Sequence, residues 1–420
     1  MDQPLPTRGT VPLGLTRPDH DWPPGLTRIP YWVYRDPDVA RAEQANIFEG
    51  PAWNYLCLEA DIPNTGDFRT NFIGTMPVIV VRAEDGTIAA FENRCVHRGA
   101  LICLDDCGTV KDFHCVYHAW RYDLRGNLTS IAFRRGVNGQ GGMPDDFRME
   151  DHRPRAVRTT TLCGLVFGTL SDDAPPIEDY IGPEITARVR RVLRAPVEIL
   201  GRFTQPMPNN WKLYMENVRD TYHASLLHLF FTTFRITRLS SGGGVLVSDN
   251  GIAHASATRG APPQHDTAYD GMRSADDAFK LVDPSFMNAR NEFGDDIQLQ
   301  ILTVFPGFVL QQINNCLAIR QALPTGVDTM DLHWTYIGFA DDPPDLRAMR
   351  LKQANLVGPA GYVSLEDGAV GGFVQRGIAA ADDVDSIVEM GGREADSQET
   401  RATEASVRGF WKAYRRFMGL

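Results

Sequence analysis

Two short segments constrain this chain more than anything else in it: Cys95-Val96-His97-Arg98-Gly99 and, after seventeen residues between His97 and Cys115, Cys115-Val116-Tyr117-His118. One thiolate and one imidazole per segment can hold a two-iron, two-sulfur cluster, with both thiolates on one iron and both imidazoles on the other. Neutral imidazoles in place of two thiolates remove negative charge and raise the potential above that of an all-cysteine cluster. Tetrahedral zinc accepts the same four residue types, but its ligands usually pair at two- to four-residue spacing. A single residue separates Cys95 from His97, which suits two neighbouring metals better than a shared one.

The surrounding pattern is that of a small antiparallel β domain. From Trp53 to about Leu170, short β-branched runs such as Val78-Ile79-Val80-Val81 alternate with turns such as Glu84-Asp85-Gly86 and Arg125-Gly126-Asn127. Both cysteine-histidine segments are expected at hairpin tips. Residues 1 to about 35 are proline-rich and read as a surface arm, followed by a short helix from Asp36 to about Phe48. With 420 residues the chain exceeds one ordinary core, so a second, larger domain is expected. The seven cysteines are odd in number and scattered, which argues against a disulfide framework. Cys57, Cys163 and Cys316 read as buried fillers, and Cys103 and Cys107, between the ligand segments, as spare metal ligands at most, since four ligands already complete the cluster.

After Pro206 the texture changes to helix. Asn209 or Asn210 can cap a helix from Trp211 through about His223, with Trp211, Met215, Val218 and Tyr222 on its apolar stripe. Glu216, Asp220 and His223 form a second, ionisable stripe, which is costly on an inward-packed helix unless paired or bound to metal. His223 and His228 are five apart, so on a straight helix they would point about 140° away from each other. A π-bulge or a helix end between them is therefore expected. Two histidines and one carboxylate, with other positions open, make the site that binds iron(II) for oxygen chemistry. The carboxylate is expected from Gly361–Gly368, where Glu366 and Asp367 are adjacent and spacing does not choose between them. A pure electron carrier, with the cluster and no catalytic metal, is the competing function.

Farther along, Ile297–Phe305, Phe308–Ala322 and Asp331–Phe339 read as three antiparallel strands of one sheet, and an amphipathic helix carrying Val407, Phe410, Trp411, Tyr414 and Phe417 ends the chain. Residues 261–296 read as a polar excursion able to act as a lid. Arg320 shares its strand face with the small side chains of Cys316, Ala318 and Ala322, which leaves room for a ligand. Arg401 is expected in the first turn of the last helix, behind Asp396 or Ser397 as cap, where a cation opposes the helix dipole and calls for an anion. Glu399 or Glu404 would serve as that anion if no ligand does.

On the cysteine-histidine pair, Asn209-Asn210-Trp211-Lys212 through His228, Gly358-Pro359-Ala360-Gly361 and Glu366-Asp367-Gly368 through Gly377, the chain resembles the large subunits of Rieske non-heme iron aromatic-ring-hydroxylating dioxygenases. The resemblance runs from about Arg28 to the C-terminus and is strongest to the members that act on terephthalate. It implies an α+β fold: residues 1–50 an arm and helix packing on the catalytic domain, 51–172 a small all-β Rieske [2Fe-2S] domain, and 173–420 a larger helix-grip-like catalytic domain with an antiparallel sheet flanked by helices. It implies Cys95, His97, Cys115 and His118 as cluster ligands, and His223, His228 and Asp367, rather than Glu366, as ligands of a mononuclear Fe(II). Asp220 matches the acid that links this iron to the cluster of an adjacent subunit. Arg320 and Arg401 match arginines that anchor the two carboxylates of the substrate, and Ile301 matches a residue of the ring slot. The implied reaction adds O2 across ring carbons 1 and 2 of an aromatic dicarboxylate, terephthalate, giving a cis-dihydrodiol. The implied partners are an NAD(P)H-dependent reductase and a small β subunit in an α3β3 hexamer. A net charge of −11 without a basic block argues against nucleic acid, and the absence of a long apolar run argues against a membrane span. A cytoplasmic location is expected.

Overall fold

The computed structural model describes residues 21–237, 239–260, 270–272, 274–275, 278–381 and 384–420. The chain divides into two compact units, Pro51–Ile177 and a larger one made of Met1–Gly50 with Glu178–Leu420.

The smaller unit is built on a seven-stranded antiparallel sheet, in the order Asn54–Leu58, Leu165–Thr169, Ala156–Leu162, Ile88–Glu92, Met76–Arg82, Asp67–Ile73, Cys107–Thr109. A second sheet of three short strands, Phe113–His114, Arg121–Tyr122 and Leu128–Ser130, lies in the same unit. A core including Phe68, Ile79, Phe91, Phe113, Trp120 and Tyr122 also encloses Cys95 and Cys115. Only the second ligand segment sits in a hairpin, between the Phe113–His114 and Arg121–Tyr122 strands. The first lies in the long loop from Ile88–Glu92 to Cys107–Thr109, strands that pair with others and not with each other. Cys163 is likewise no core filler: it is half-buried at the turn between two paired strands, with φ 52°.

The larger unit carries its own seven-stranded antiparallel sheet, in the order Val197–Met207, Met330–Phe339, Cys316–Pro324, Phe308–Ile313, Ile297–Val304, Ala253–Arg259, Gly243–Val247. The run Phe308–Ala322 is thus two strands and not one. Asn314 takes a left-handed φ of 51° and turns the chain, a conformation asparagine tolerates better than most residues. The Trp211–Arg219 helix packs on the sheet and against the Ser364–Gly377 and Ala405–Met418 helices. Its Asn210 cap accepts a hydrogen bond from Lys212 N. Trp211 meets Phe48, Phe305 and Phe410 at ring distances of 5.3, 6.2 and 5.8 Å.

A buried ionic knot, not foreseen from sequence, ties three helices of this unit together. Lys212 Nζ lies 2.6 Å from Glu43 Oε1, and Glu43 also accepts from Trp211 Nε1 and Tyr414 Oη. Both ions are nearly inaccessible, so the pair is tolerable only because each carboxylate oxygen is hydrogen-bonded. The last helix begins at Ala405, four residues beyond Arg401. Of the two expected caps, Ser397 is used elsewhere, its Oγ accepting from Val247 N, and the next residue, Gln398, exchanges backbone hydrogen bonds with Val245 at the sheet edge. The dipole argument for Arg401 therefore falls, and other contacts hold that residue. Of the expected excursion over 261–296, residues 261–269, 273 and 276–277 lie outside the described residues.

Candidate metal centres and substrate slot

The two ligand loops of the smaller unit are built alike. Cys95 N donates to Ala100 O and Gly99 N to Cys95 O, while Cys115 N donates to Trp120 O and Ala119 N to Cys115 O. Gly99 and Ala119 occupy equivalent left-handed positions, φ 77° and 52°, where the second costs strain that glycine avoids. The loops present their residues as two pairs at two depths. Cys95 and Cys115 are buried, with Tyr122 Oη 3.1 Å from Cys95 Sγ and positioned to hydrogen-bond it. His97 and His118 lie farther out, their rings 4.6 Å apart, and His97 stacks on Trp120 at 4.7 Å. Partial loss of water around the ring, with His118 and Arg98 nearby, holds the His97 imidazole below its ordinary pKa and favours the neutral form. Two buried thiols and two outer imidazoles are a donor set suited to a [2Fe-2S] cluster. Cys107 is exposed, and Cys103 Sγ points to Asp105 O.

In the larger unit the expected helix from Trp211 stops at Arg219. The Asp220 side chain accepts from Tyr222 N at 2.7 Å, a local turn that competes with the helical ladder, and the Asp220 backbone is extended. A single helical turn, Ala224–Leu227, follows, flanked by His223 before it and an extended His228 after it. The five-residue spacing is thus resolved by breaks at both ends and not by a bulge. Of the ionisable stripe only Asp220 and His223 stay together. Glu216 accepts from Tyr34 Oη and Trp411 Nε1, in a different cluster from His223.

Among the described residues, His223, His228 and Asp367 bring three ligand atoms within 4.8 Å of one another. Each imidazole turns Nε2 toward Asp367 Oδ1, at 3.5 Å in both cases. Each uses Nδ1 on a second carboxylate: His223 on Asp220 at 3.1 Å and His228 on Glu366 at 3.0 Å. The adjacent acids therefore divide the work, with Asp367 at the focus and Glu366 behind a histidine. A carboxylate on Nδ1 fixes the tautomer that leaves the Nε2 lone pair facing a metal. Burial opposes the charged form of His223, but Asp220 and Asp367 outweigh it and push its pKa up to about 10. Burial opposes the Asp367 carboxylate too, and the two imidazoles with Arg320 still hold it below its ordinary value. Such a crowd of donors fits a dication in place of the protons. Glycines let the Asp367 helix seat closely: a Cβ on Gly371 would stand 2.6 Å from Asn209 Oδ1.

The triad lines a pocket whose wall includes Ile301, Arg320 and Arg401. Arg320 is 4% exposed and donates to Tyr214 Oη at 2.8 Å, while its Nε has no hydrogen-bond partner among the described residues. Arg401, 5% exposed, donates to Thr258 and Thr237 hydroxyls and to Ser241 O. Burial pushes the Tyr214 phenol up to about 12, so it stays protonated beside Arg320. Tyr214 was missed from sequence, and Glu366 was foreseen only as an alternative to Asp367, not as the support of His228.

Residues 52–138 match the family model for the Rieske [2Fe-2S] domain, and residues 191–420 that for the catalytic domain of the ring-hydroxylating alpha subunit. The chain belongs to the ring-hydroxylating oxygenase alpha subunits, dioxygenases that carry a [2Fe-2S] Rieske cluster and a mononuclear iron and incorporate O2 with electrons from NAD(P)H delivered by a reductase. Among its relatives, it is 57% identical to the terephthalate 1,2-dioxygenase terminal oxygenase component subunit alpha 2 of Comamonas sp, over 94% of this chain and 96% of that one. It is 44% identical to the anthranilate 1,2-dioxygenase large subunit of Burkholderia cepacia, over 94% of both. Naphthalene 1,2-dioxygenase from Rhodococcus sp., in a crystal structure with indole, shares the fold at TM-score 0.78 and 22% identity, over 93% of this chain and 94% of that one. The α+β reading holds and the pure carrier does not, since a catalytic domain is present. Oxygenases of this family work in multimers, usually with a β subunit. Among the described residues, no helix is long and apolar enough to cross a membrane.

Proposed function

We propose that this chain is the oxygenase large subunit of a terephthalate 1,2-dioxygenase, converting terephthalate and O2 to a cis-dihydrodiol dicarboxylate. The observation that carries this reading is a pair of buried guanidinium groups, Arg320 and Arg401, in the wall of the pocket that also holds the His223, His228 and Asp367 triad. A dicarboxylate supplies an anion to each, and Ile301 packs against the ring. The 57% identity to a terephthalate dioxygenase subunit supports the same substrate.

Cys95, His97, Cys115 and His118 hold the cluster in this reading, and His223, His228 and Asp367 hold the mononuclear iron. When bound, the cluster supplies single electrons and the iron supplies oxygen activation. Asp220 accepts a hydrogen bond from Nδ1–H of His223, and in this reading it links this site to the cluster of a neighbouring subunit. Arg320, steadied by Tyr214, and Arg401, steadied by Thr237 and Thr258, fix the ring against sliding, and the apolar wall excludes water from it. The partners are an NAD(P)H-dependent reductase and a small β subunit in an α3β3 hexamer, in the cytoplasm.

The test is product analysis with the reductase supplied. Terephthalate should give NAD(P)H-dependent oxygen uptake and a cis-dihydrodiol dicarboxylate, well above anthranilate, salicylate and benzoate. A higher kcat/KM on anthranilate or salicylate would overturn the substrate assignment.

A further inference from the structure

Gln311 and Gln312 are neighbours on one strand and contrast sharply. Gln312 has its amide nitrogen bonded to Ile297 O, Gln298 O and Asn314 O, and its Oε1 accepts from Arg191. Gln311 points to the opposite face of the sheet, into the wall of the catalytic pocket, and is 1% exposed. Its Nε2 is buried without a hydrogen-bond partner among the described residues. A buried amide without partners is costly, and a ligand that supplies an acceptor removes that cost.

The register says which part of a ligand lies there. Gln311 stands opposite Ile301 on one side and opposite Ala318 on the other, and Arg320 is two residues from Ala318 on the same sheet face. The amide is thus set between the residue assigned to the ring and the guanidinium assigned to a carboxylate. We propose that Gln311 is a specificity residue of the slot, its Nε2 donating to the substrate carboxylate that Arg320 grips. This rests on the dicarboxylate reading above and deepens it: one end of the slot is a two-residue carboxylate cradle of cation and neutral donor.

The experiment is anaerobic calorimetry on the holoenzyme with terephthalate and with its monoamide, 4-carbamoylbenzoate, alongside steady-state kinetics. Gln311→Met, neutral and of similar length, should weaken terephthalate about tenfold in Kd and KM while kcat changes little. Gln311→Glu sets a carboxylate against a carboxylate, yet offers an acceptor to the N–H of the monoamide. It should shift the ratio of the two Kd values at least tenfold toward the monoamide. Iron content and cluster absorbance at wild-type level show that either variant is folded, and Gln311→Met decides alone should Gln311→Glu fail to fold. A threefold or smaller change in terephthalate Kd for Gln311→Met, or equal losses on both ligands for Gln311→Glu, overturns the assignment while leaving the dicarboxylate reading intact. A wild-type protein that binds no terephthalate removes both together.

Discussion

Replacing Arg320 by Met keeps the length and apolar stem of the side chain and removes only the guanidinium. The structure sets the size of the effect. Arg320 is 4% exposed and donates to Tyr214, leaving its Nε for a ligand. Truncating one partner of a buried, hydrogen-bonded charge pair costs roughly 2–5 kcal/mol. Because Arg401 still grips the other end, the lower half of that range applies. About 3 kcal/mol corresponds to roughly a hundredfold rise in terephthalate Kd. Arg320→Lys keeps the charge but not the planar fork and should fall between, near tenfold. The assay is anaerobic calorimetry on protein with full iron content, checked against KM. A Kd for Arg320→Met within threefold of wild type, with both metal centres retained, would refute the clamp.

Other outcomes follow from the same geometry. Glu366→Ala leaves His228 Nδ1 without its carboxylate, so Fe(II) affinity by equilibrium dialysis should drop about 10–100-fold; unchanged affinity would remove Glu366 from the site. Gly371→Ala drives a Cβ against Asn209 and should lower stability by roughly 1–3 kcal/mol, read as a fall in thermal midpoint; an unchanged or higher midpoint would show that Asn209 yields freely. Burial pushes the Glu216 carboxyl up from 4.5 to about 7, against the pull of Trp411, Tyr34 and Lys212. A raised acid favours the fold below its unfolded pKa, and that contribution is lost as pH rises through 7, a change of about 3 kcal/mol. Glu216→Gln has no proton to lose, so its stability relative to wild type should rise between pH 4.5 and 7.5 in denaturant titrations; a constant difference would contradict the assigned shift.

The sequence made the chemistry of this chain more legible than its geometry. Cysteine and histidine spacing pointed to a two-metal cluster because ligand chemistry is local, and alternating strands and an amphipathic last helix were legible as separate elements, while the α+β fold came from the family resemblance. What escaped was decided by competition between local and distant groups. The helix expected to reach His223 ends at Arg219 because the Asp220 carboxylate captures Tyr222 N. The strand expected over Phe308–Ala322 folds back at Asn314, where an Asn-Asn pair was a signal passed over. Arg401 was set on a helix that starts later, since its upstream segment pairs with Val245 at a sheet edge. Tyr214, and the part Glu366 plays behind His228, could not be found by spacing. Their roles come from partners over a hundred residues away.

The central claim is that one pocket brings a dicarboxylate to a dioxygen-activating iron, and a single turnover under ¹⁸O2 tests it most directly. Holoenzyme is chemically reduced, freed of reductant and mixed with terephthalate and labelled oxygen, and the product is examined by mass spectrometry. The account predicts a cis-dihydrodiol dicarboxylate carrying two labelled oxygens, absent in Asp367→Ala. A singly labelled product, or none from a fully loaded protein, would contradict it.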